Sequence, residues 1–169
     1  NYPFKYGFDY VPVHVRVMFV AIEPPSSGNY FYDLGTHDKV RRKLLELLFK
    51  AGLIEKCELK EFVYRGFYLT DVVKCPGGNA NNCIRFLRKE IEILKPNIIC
   101  TLGKKPLRVF LRKKKFRLRN YVGSLVPCEY LDLSRTLGTS VFACYFPLRS
   151  PVSDSVRIRH FKLLKSYLK

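Results

Sequence analysis

Residues 15–25 read VRVMFVAIEPP, and this stretch decides the fold of the chain. Its apolar run predicts a buried strand from His14 to Ile22, of the kind found in parallel sheets covered on both faces. Glu23 and a proline-broken loop follow directly. A second strand, predicted from Gly66 to Val73, also carries a carboxylate near its end, at Asp71. Because ligands of open α/β sheets bind beyond the carboxyl ends of the strands, Glu23 and Asp71 predict two walls of one pocket.

The rest of the chain alternates between helical and strand patterns. Helical spacing of apolar residues, with its stop signals, predicts helices at residues 37–51, 83–94 and 156–168, and another from about residue 106. Two further strands are predicted at residues 97–102 and 139–146. Strands that alternate with helices imply parallel βαβ units. We therefore expect an α/β fold, in which residues 1–169 form a single three-layer domain with a central four-stranded, mainly parallel sheet flanked by helices.

Charge is the strongest compositional feature. Lysine and arginine number 31 against 14 aspartates and glutamates, which gives a net charge of +17. Such an excess attracts polyanions, so we expect nucleic acid as the partner, ahead of an anionic membrane surface. A thermophile with a lysine-rich solvated surface is the alternative. The absence of glutamine and tryptophan fits that alternative, but thermophile surfaces enrich glutamate as well, and glutamate is scarce here.

Membrane and secretion signals are not evident in the sequence. No apolar run approaches the ~18–20 residues that span a bilayer, and the first residues do not read as a basic and then apolar secretion signal. We expect a monomeric, cytoplasmic protein, with a thermophilic prokaryote as a candidate source.

The basic residues are concentrated in one segment, residues 104–119, which holds nine of them and no acid. A solvated helix face usually intersperses both signs, so this run indicates phosphate contacts. Further basic residues follow near the C-terminal helix. The basic candidates for DNA contact are Lys104, Lys105, Arg112, Lys113, Lys114, Lys115, Arg149 and Arg157.

Four segments in this order resemble the uracil-DNA glycosylase superfamily, over residues 15–164. The first, residues 21–25, stands where that superfamily has a strand-ending Gly-x-[Asp/Asn/Ala]-Pro motif. Residues 67–75, FYLTDVVKC, look like the Thr-Asn-Val-Val-Lys-Cys stretch of the thermostable family 4 enzymes. Residues 83–103 are similar to the helix and strand that follow there, and residues 141–147 correspond to the strand leading into the second motif, His-Pro-[Ser/Ala].

The resemblance implies hydrolysis of an N-glycosidic bond after the damaged nucleotide is flipped out of the stack. Glu23 would orient water and stabilise the positive charge that develops on the sugar. Phe31 or Tyr32 would stack on the base, and Asp71 would read its edge. The base-binding candidates are Pro24, Pro25, Phe31, Tyr32, Asp71 and Phe146. Pro147, Leu148 and Arg149 would press into the duplex or hold its phosphates.

Two residues depart from the superfamily pattern. Phe146 stands where a histidine usually stabilises the departing base. Asp71 replaces an asparagine, and an ionised carboxylate only accepts hydrogen bonds, so it suits an exocyclic amine unless it is protonated. The expected activity is therefore that of a monofunctional DNA glycosylase acting on uracil or a related damaged base in DNA repair. The alternative is a catalytically inactive nucleic-acid-binding protein on the same fold, and a third is a protein that processes RNA or binds nucleotides.

The cysteines leave three alternatives open. Family 4 enzymes carry a [4Fe-4S] cluster, and Cys75 and Cys83 match two of its four ligands, but no cysteine precedes Cys57 to supply the N-terminal pair. We expect no cofactor and no metal. A cluster that recruits another cysteine, a Cys75–Cys83 disulfide and two free thiols are the alternatives.

Overall fold

The four predicted strands lie side by side in one sheet. The computed structural model describes residues 9–111, 113, 115–126, 139–149 and 151–168. Its strands are β1 (Val17–Ala21), β2 (Phe67–Asp71), β3 (Ile98–Leu102), β4 (Leu125–Val126) and β5 (Ser140–Cys144). They lie in the order β2-β1-β3-β5-β4. The four longer strands are parallel, which confirms the predicted α/β class.

The predicted strand count was one short. The additional strand, β4, pairs antiparallel with β5 at the edge of the sheet. It spans two residues, which is too short to carry an alternating pattern. The mainly parallel sheet therefore has five strands among the described residues.

Five α-helices lie among the described residues: α1 (Lys39–Lys50), α2 (Leu59–Tyr64), α3 (Ala80–Leu94), α4 (Lys104–Phe110) and α5 (Asp154–Ser166). The sequence did not predict α2, whose six residues bury only Leu59 and Phe62. Helix α3 begins at Ala80, three residues before the predicted start, because the Asn79 side chain caps it by accepting a hydrogen bond from the backbone of Asn81 at 2.8 Å.

Both faces of the sheet are covered, as the apolar runs predicted. Neighbouring residues of β1 point to opposite faces: Phe19 packs in the core formed with α1, α2 and α5, and Met18 in the core formed with α3 and α4. Both side chains are fully buried. The three-layer arrangement follows from this double burial. Among the described residues, no helix combines the length and the apolar character that a crossing of the bilayer requires.

Candidate active site

The ends of β1 and β2 bring the two predicted carboxylates to the same edge of the sheet. Asp71 is the last residue of β2 and lies directly opposite Ala21, the last residue of β1. The two chains stay together beyond the strands, since Val73 N–H donates to the Ile22 carbonyl at 2.9 Å. Glu23 follows Ile22 and is exposed. Its charge acts on Asp71, where it contributes to raising the pKa. The predicted convergence of the two acids is therefore present in the structure.

Asp71 carries the most unusual carboxyl group of the site. It is partly buried, and no described residue donates a hydrogen bond to it. Burial is the largest cause that raises its pKa to about 7, and the charges of Glu90, Asp38 and Glu23 add to the effect. The nearby Lys74 acts in the opposite direction without cancelling it. Burial therefore favours the protonated form of this carboxyl up to a pH far above the ordinary range of an aspartate.

Lys74 lowers the pKa of Asp71 only partly, because its ammonium group is bound to Glu90 and Thr70. Its Nζ lies 2.6 Å from Glu90 Oε2 and 2.8 Å from Thr70 Oγ1. Thr70 also donates to the same Glu90 oxygen at 2.8 Å. Glu90 thus takes the cation next to Asp71 and leaves Asp71 without a direct partner. The sequence did not indicate this network, although Thr70 and Lys74 lie close to Asp71 in the chain.

The loop between β1 and α1 is held in shape by two further residues that the sequence analysis missed. Asp38 is 5% exposed, caps α1 by accepting from Arg41 N–H at 2.6 Å, and has a pKa raised by burial. The Arg41 guanidinium donates to four carbonyls of the loop. These belong to Tyr30, Phe31, Asp33 and Thr36, at 3.3, 3.0, 2.7 and 2.6 Å. Arg41 therefore ties together four residues of the loop that enters the site.

Tyr32 does not offer a stacking face, contrary to the sequence prediction. Its hydroxyl donates to the Leu69 carbonyl at 2.9 Å and accepts from Leu69 N–H at 2.7 Å, on the outer edge of β2. Its ring stacks on Tyr10 and Tyr68, with centroids 5.4 and 6.1 Å away. Tyr32 therefore holds the loop onto β2, and among the described residues its ring already stacks with two other tyrosines.

Phe31 is packed in the core as well. It is 6% exposed, and its ring centroid lies 5.4 Å from that of Phe62. Its burial in the core is also contrary to the predicted stacking of this ring on a base. The two prolines before it differ in exposure: Pro24 is buried and Pro25 is partly buried.

The other half of the edge is formed by the ends of β3 and β5. Gly103 follows β3 with φ +102°, and a Cβ placed there would lie 3.4 Å from the Cβ of Phe146, two residues after β5. Phe146 is partly buried and packs on the core with α1 and α5. Beyond it, Pro147 is buried, Leu148 is partly buried, and Arg149 is exposed with φ +49°. The motif without histidine thus lies at the same edge as Asp71 and Glu23.

Arg157 is an anchor of this edge, and the structure argues against its predicted contact with DNA. Its side chain is 8% exposed and pairs with Asp154 at 2.7 Å. Its Nε donates to the Phe146 carbonyl at 3.2 Å. The guanidinium therefore holds the segment after β5. Leaving Asp154 and the Phe146 carbonyl to bind DNA would be costly, because a buried charge without its partners is strongly destabilising.

The predicted DNA-binding lysines lie on the surface next to the site. Lys104 and Lys105 follow Gly103 at the start of α4, and both are exposed. Lys104 Nζ lies 5.5 Å from the centroid of the Phe116 ring, so the basic segment folds back beside α4. Lys113 and Lys115 are exposed, whereas Arg112 and Lys114 lie outside the described residues. The described lysines of the run form an exposed rim, which is called the α4 rim below (Lys104, Lys105, Lys113 and Lys115).

The described cysteines do not fit a four-thiolate cluster. Cys75 is exposed and Cys83 is buried in α3, and both are free thiols, so the disulfide alternative is not present. Cys57 lies on the other side of the sheet, where its thiol contacts the Leu45 carbonyl of α1. The described residues hold no group of three or more His, Cys, Asp or Glu side chains suited to a metal ion. Cys128 lies outside the described residues.

Comparison with known proteins gives two findings. The family model described as the uracil DNA glycosylase superfamily matches residues 8–163. A type-5 uracil-DNA glycosylase from Pyrobaculum aerophilum is 27% identical over 148 residues, which cover 80% of this chain and 62% of that relative. The chain therefore spans less than two thirds of the relative's length.

Proposed function

The chain belongs to the uracil DNA glycosylase superfamily, and on that premise we propose that it hydrolyses the N-glycosidic bond of a flipped-out uracil or related damaged base in DNA. The observation that carries this proposal is Asp71. A carboxyl group at a strand end, without a described hydrogen-bond partner and with a pKa near neutrality, is typical of a functional site. Among the described residues, no hydrogen bond or ion pair gives the Asp71 side chain a structural role.

Protonated Asp71 suits the edge of uracil. Its O–H donates to O4 and its second oxygen accepts from N3–H, the same donor and acceptor pair that an asparagine amide presents. In the ionised form it only accepts, and the negative charge repels O4. Ionisation therefore favours a base with an exocyclic amine over uracil. The protonation state of Asp71 is the proposed determinant of the substrate.

Glu23 has the place and the exposure for the hydrolytic step. Cleavage builds positive charge on the sugar, and a carboxylate beside it stabilises that charge while orienting a water molecule for attack. The Asp71 O–H stabilises the departing base at O4, on the side of the site opposite the position that Phe146 fills. Since Phe146 has no donor, Asp71 is the group we assign to that task.

The α4 rim would hold the phosphates of the substrate strand. Lys104 and Lys105 are exposed at the start of α4, directly after the strand whose end borders the site. Each phosphate neutralised contributes a slope of about −0.9 to log affinity against log salt on duplex DNA. Binding would therefore be salt-sensitive, as the net charge of +17 leads one to expect.

The experiment is base release from oligonucleotides that carry uracil, hypoxanthine or other damaged bases, followed by alkali. Strand breaks that appear only after alkali are expected, because a monofunctional glycosylase leaves an abasic site. Uracil release should fall as pH rises through about 7, the pKa of Asp71. No break on any lesion, together with salt-sensitive DNA binding, would identify the inactive nucleic-acid-binding alternative. Preferential competition by RNA or free nucleotide would identify the third.

A further inference from the structure

A second cationic surface lies at the opposite edge of the sheet. An open groove of about 520 Å³ is lined by residues at the starts of β1 and β2 and at the ends of α1, α2 and α5. Five-residue strands rise by roughly 16 Å, so the groove is separated from the candidate site by the length of the sheet. We call it the amino-edge groove. Its lining residues are Arg16, Gly52, Leu53, Arg65, Phe67, Lys162, Lys165, Ser166 and Leu168.

The cations of the amino-edge groove differ in how they are used. Arg65 is neutralised by Glu55 and Glu61, at 2.5 and 2.8 Å. Arg16 donates to the Leu168 carbonyl at 2.5 Å. Lys162 and Lys165 are exposed, lie one turn apart on α5, and pair with no acid among the described residues. Two ammonium groups thus face the groove without a described counter-charge.

Part of this charge has a structural use. Helix C-termini carry partial negative charge, and cations near them are stabilising. A Cβ placed at Gly52, just after α1, would lie 3.1 Å from Lys165 Nζ, so this ammonium lies at the end of that helix. No such contact is described for Lys162. The positive charge of the two lysines therefore exceeds what is needed to offset the partial negative charge at the end of α1.

We propose that the amino-edge groove binds the phosphate backbone of duplex DNA, as a second contact separate from the catalytic edge. Lys162 and Lys165 line the groove from one face of α5, beside the apolar side chains of Leu53 and Phe67, and so offer two charges to phosphates and an apolar surface to the sugars between them. No acidic side chain lines the groove itself. This proposal rests on the groove and its charge, and it stands whether or not base release is found.

The test is the salt dependence of binding to undamaged duplex DNA, measured by fluorescence anisotropy for the whole chain. The double variant Lys162→Gln/Lys165→Gln should lower the steepness of log affinity against log salt by about 1 to 2, since each lost phosphate contact removes about 0.9. Affinity near 0.1 M salt should fall on the order of tenfold. Base release from a short uracil oligonucleotide should be unchanged in rate at saturation.

A matched control removes two charges from a different surface. Arg88 and Lys89 are exposed on α3, in the other helical layer, and both pair with Glu92. Arg88→Gln/Lys89→Gln should leave the slope within about 0.5 of the parent protein. An equal fall of the salt slope in the two double variants would overturn the proposal, because it would show that only the net charge matters.

Two other outcomes would also contradict the proposal. A lower melting temperature with unchanged DNA affinity would assign both lysines to the helix ends. Protection of the lysines from acetylation by inorganic phosphate, with no change in DNA affinity on their substitution, would make the groove a site for a small anion. Protection of the two lysines from acetylation by undamaged duplex DNA at low salt, lost at high salt, would support the proposal that the groove binds DNA.

Discussion

Helix α1 has an acidic side chain at the carboxyl edge of the sheet and a basic one at the amino edge. At the carboxyl edge, Asp38 caps the start of α1, and at the amino edge Lys165 lies at its end. Both placements follow the helix dipole. Each edge then carries a group beyond this requirement: Asp71 has no described hydrogen-bond partner, and Lys162 has no described acid. The comparison shows that charged groups with partners stabilise the fold, whereas groups without a described partner, such as Asp71 and Lys162, lie where chemistry or binding is proposed.

The largest effect should follow from removing the exposed acid of the carboxyl edge. Glu23→Ala should lower the rate of base release by about 10²–10⁴-fold while DNA affinity is kept, because the water and the sugar cation lose their carboxylate. Single-turnover kinetics on a uracil oligonucleotide measure this. Glu55→Ala, which removes an exposed acid paired with Arg65 at the other edge, is the control. Equal rates in both variants would remove Glu23 from the mechanism.

The second effect concerns the cost of the unpartnered carboxyl. Asp71 has a folded-state pKa of about 7 against 3.8 for the ordinary group, so its contribution to stability is lost as pH rises between those values. Asp71→Asn lacks this titration. The free energy of unfolding of the variant, relative to the parent, should therefore gain roughly 3 to 4 kcal/mol between pH 4 and pH 8.

Urea unfolding across this pH range checks the prediction for Asp71, and Glu90→Gln sharpens it. Glu90 raises the pKa of Asp71 and also holds Lys74, so its removal should shift the titration window to lower pH. A stability difference between parent and Asp71→Asn that does not change with pH would show that this carboxyl is ionised throughout.

A smaller effect separates packing from ligand contact at Tyr32. Tyr32→Phe keeps the stacked ring but leaves Leu69 N–H and C=O without their partner, which should cost about 1–3 kcal/mol in the free energy of unfolding. Base release per folded molecule should be unchanged. Tyr64→Phe is the control, since that side chain is 83% exposed. Loss of base release without loss of stability would give the Tyr32 hydroxyl a role in the site beyond holding Leu69.

The smallest effect compares the lysines of the two edges. Lys104→Gln/Lys105→Gln should lower the salt slope by about as much as the groove double variant, since each pair is expected to meet two phosphates. Only the α4 rim variant should also raise KM for base release, because it lies beside the site. If both double variants change KM alike, the two edges do not act as separate surfaces.

The sequence predicted the sheet well because β1, β2, β3 and β5 are buried on both faces. Their long apolar runs report that burial directly. The elements that were missed, β4 and α2, span two and six residues, too few for a period to show. The convergence of Glu23 and Asp71 was predicted because parallel strands place their ends at one edge.

The partners of the site residues could not be predicted from the sequence. Arg41 binds carbonyl oxygens, which every residue has, so no sequence pattern indicates the contact. An aromatic residue in a loop reads the same whether it packs inward, as Phe31 does, or faces a ligand. Arg157 resembles any other basic residue of α5 until its burial is known. These outcomes depend on tertiary contacts that local spacing does not encode.

The hydroxyl of Tyr32 has a consequence for association between chains. Strand β2 lies at the border of the sheet, where unpaired N–H and C=O groups form a template for a strand of another molecule. Tyr32 occupies both groups of Leu69 and lays its ring over this border. The loop that enters the candidate site therefore also blocks part of the edge where a strand of another molecule could pair.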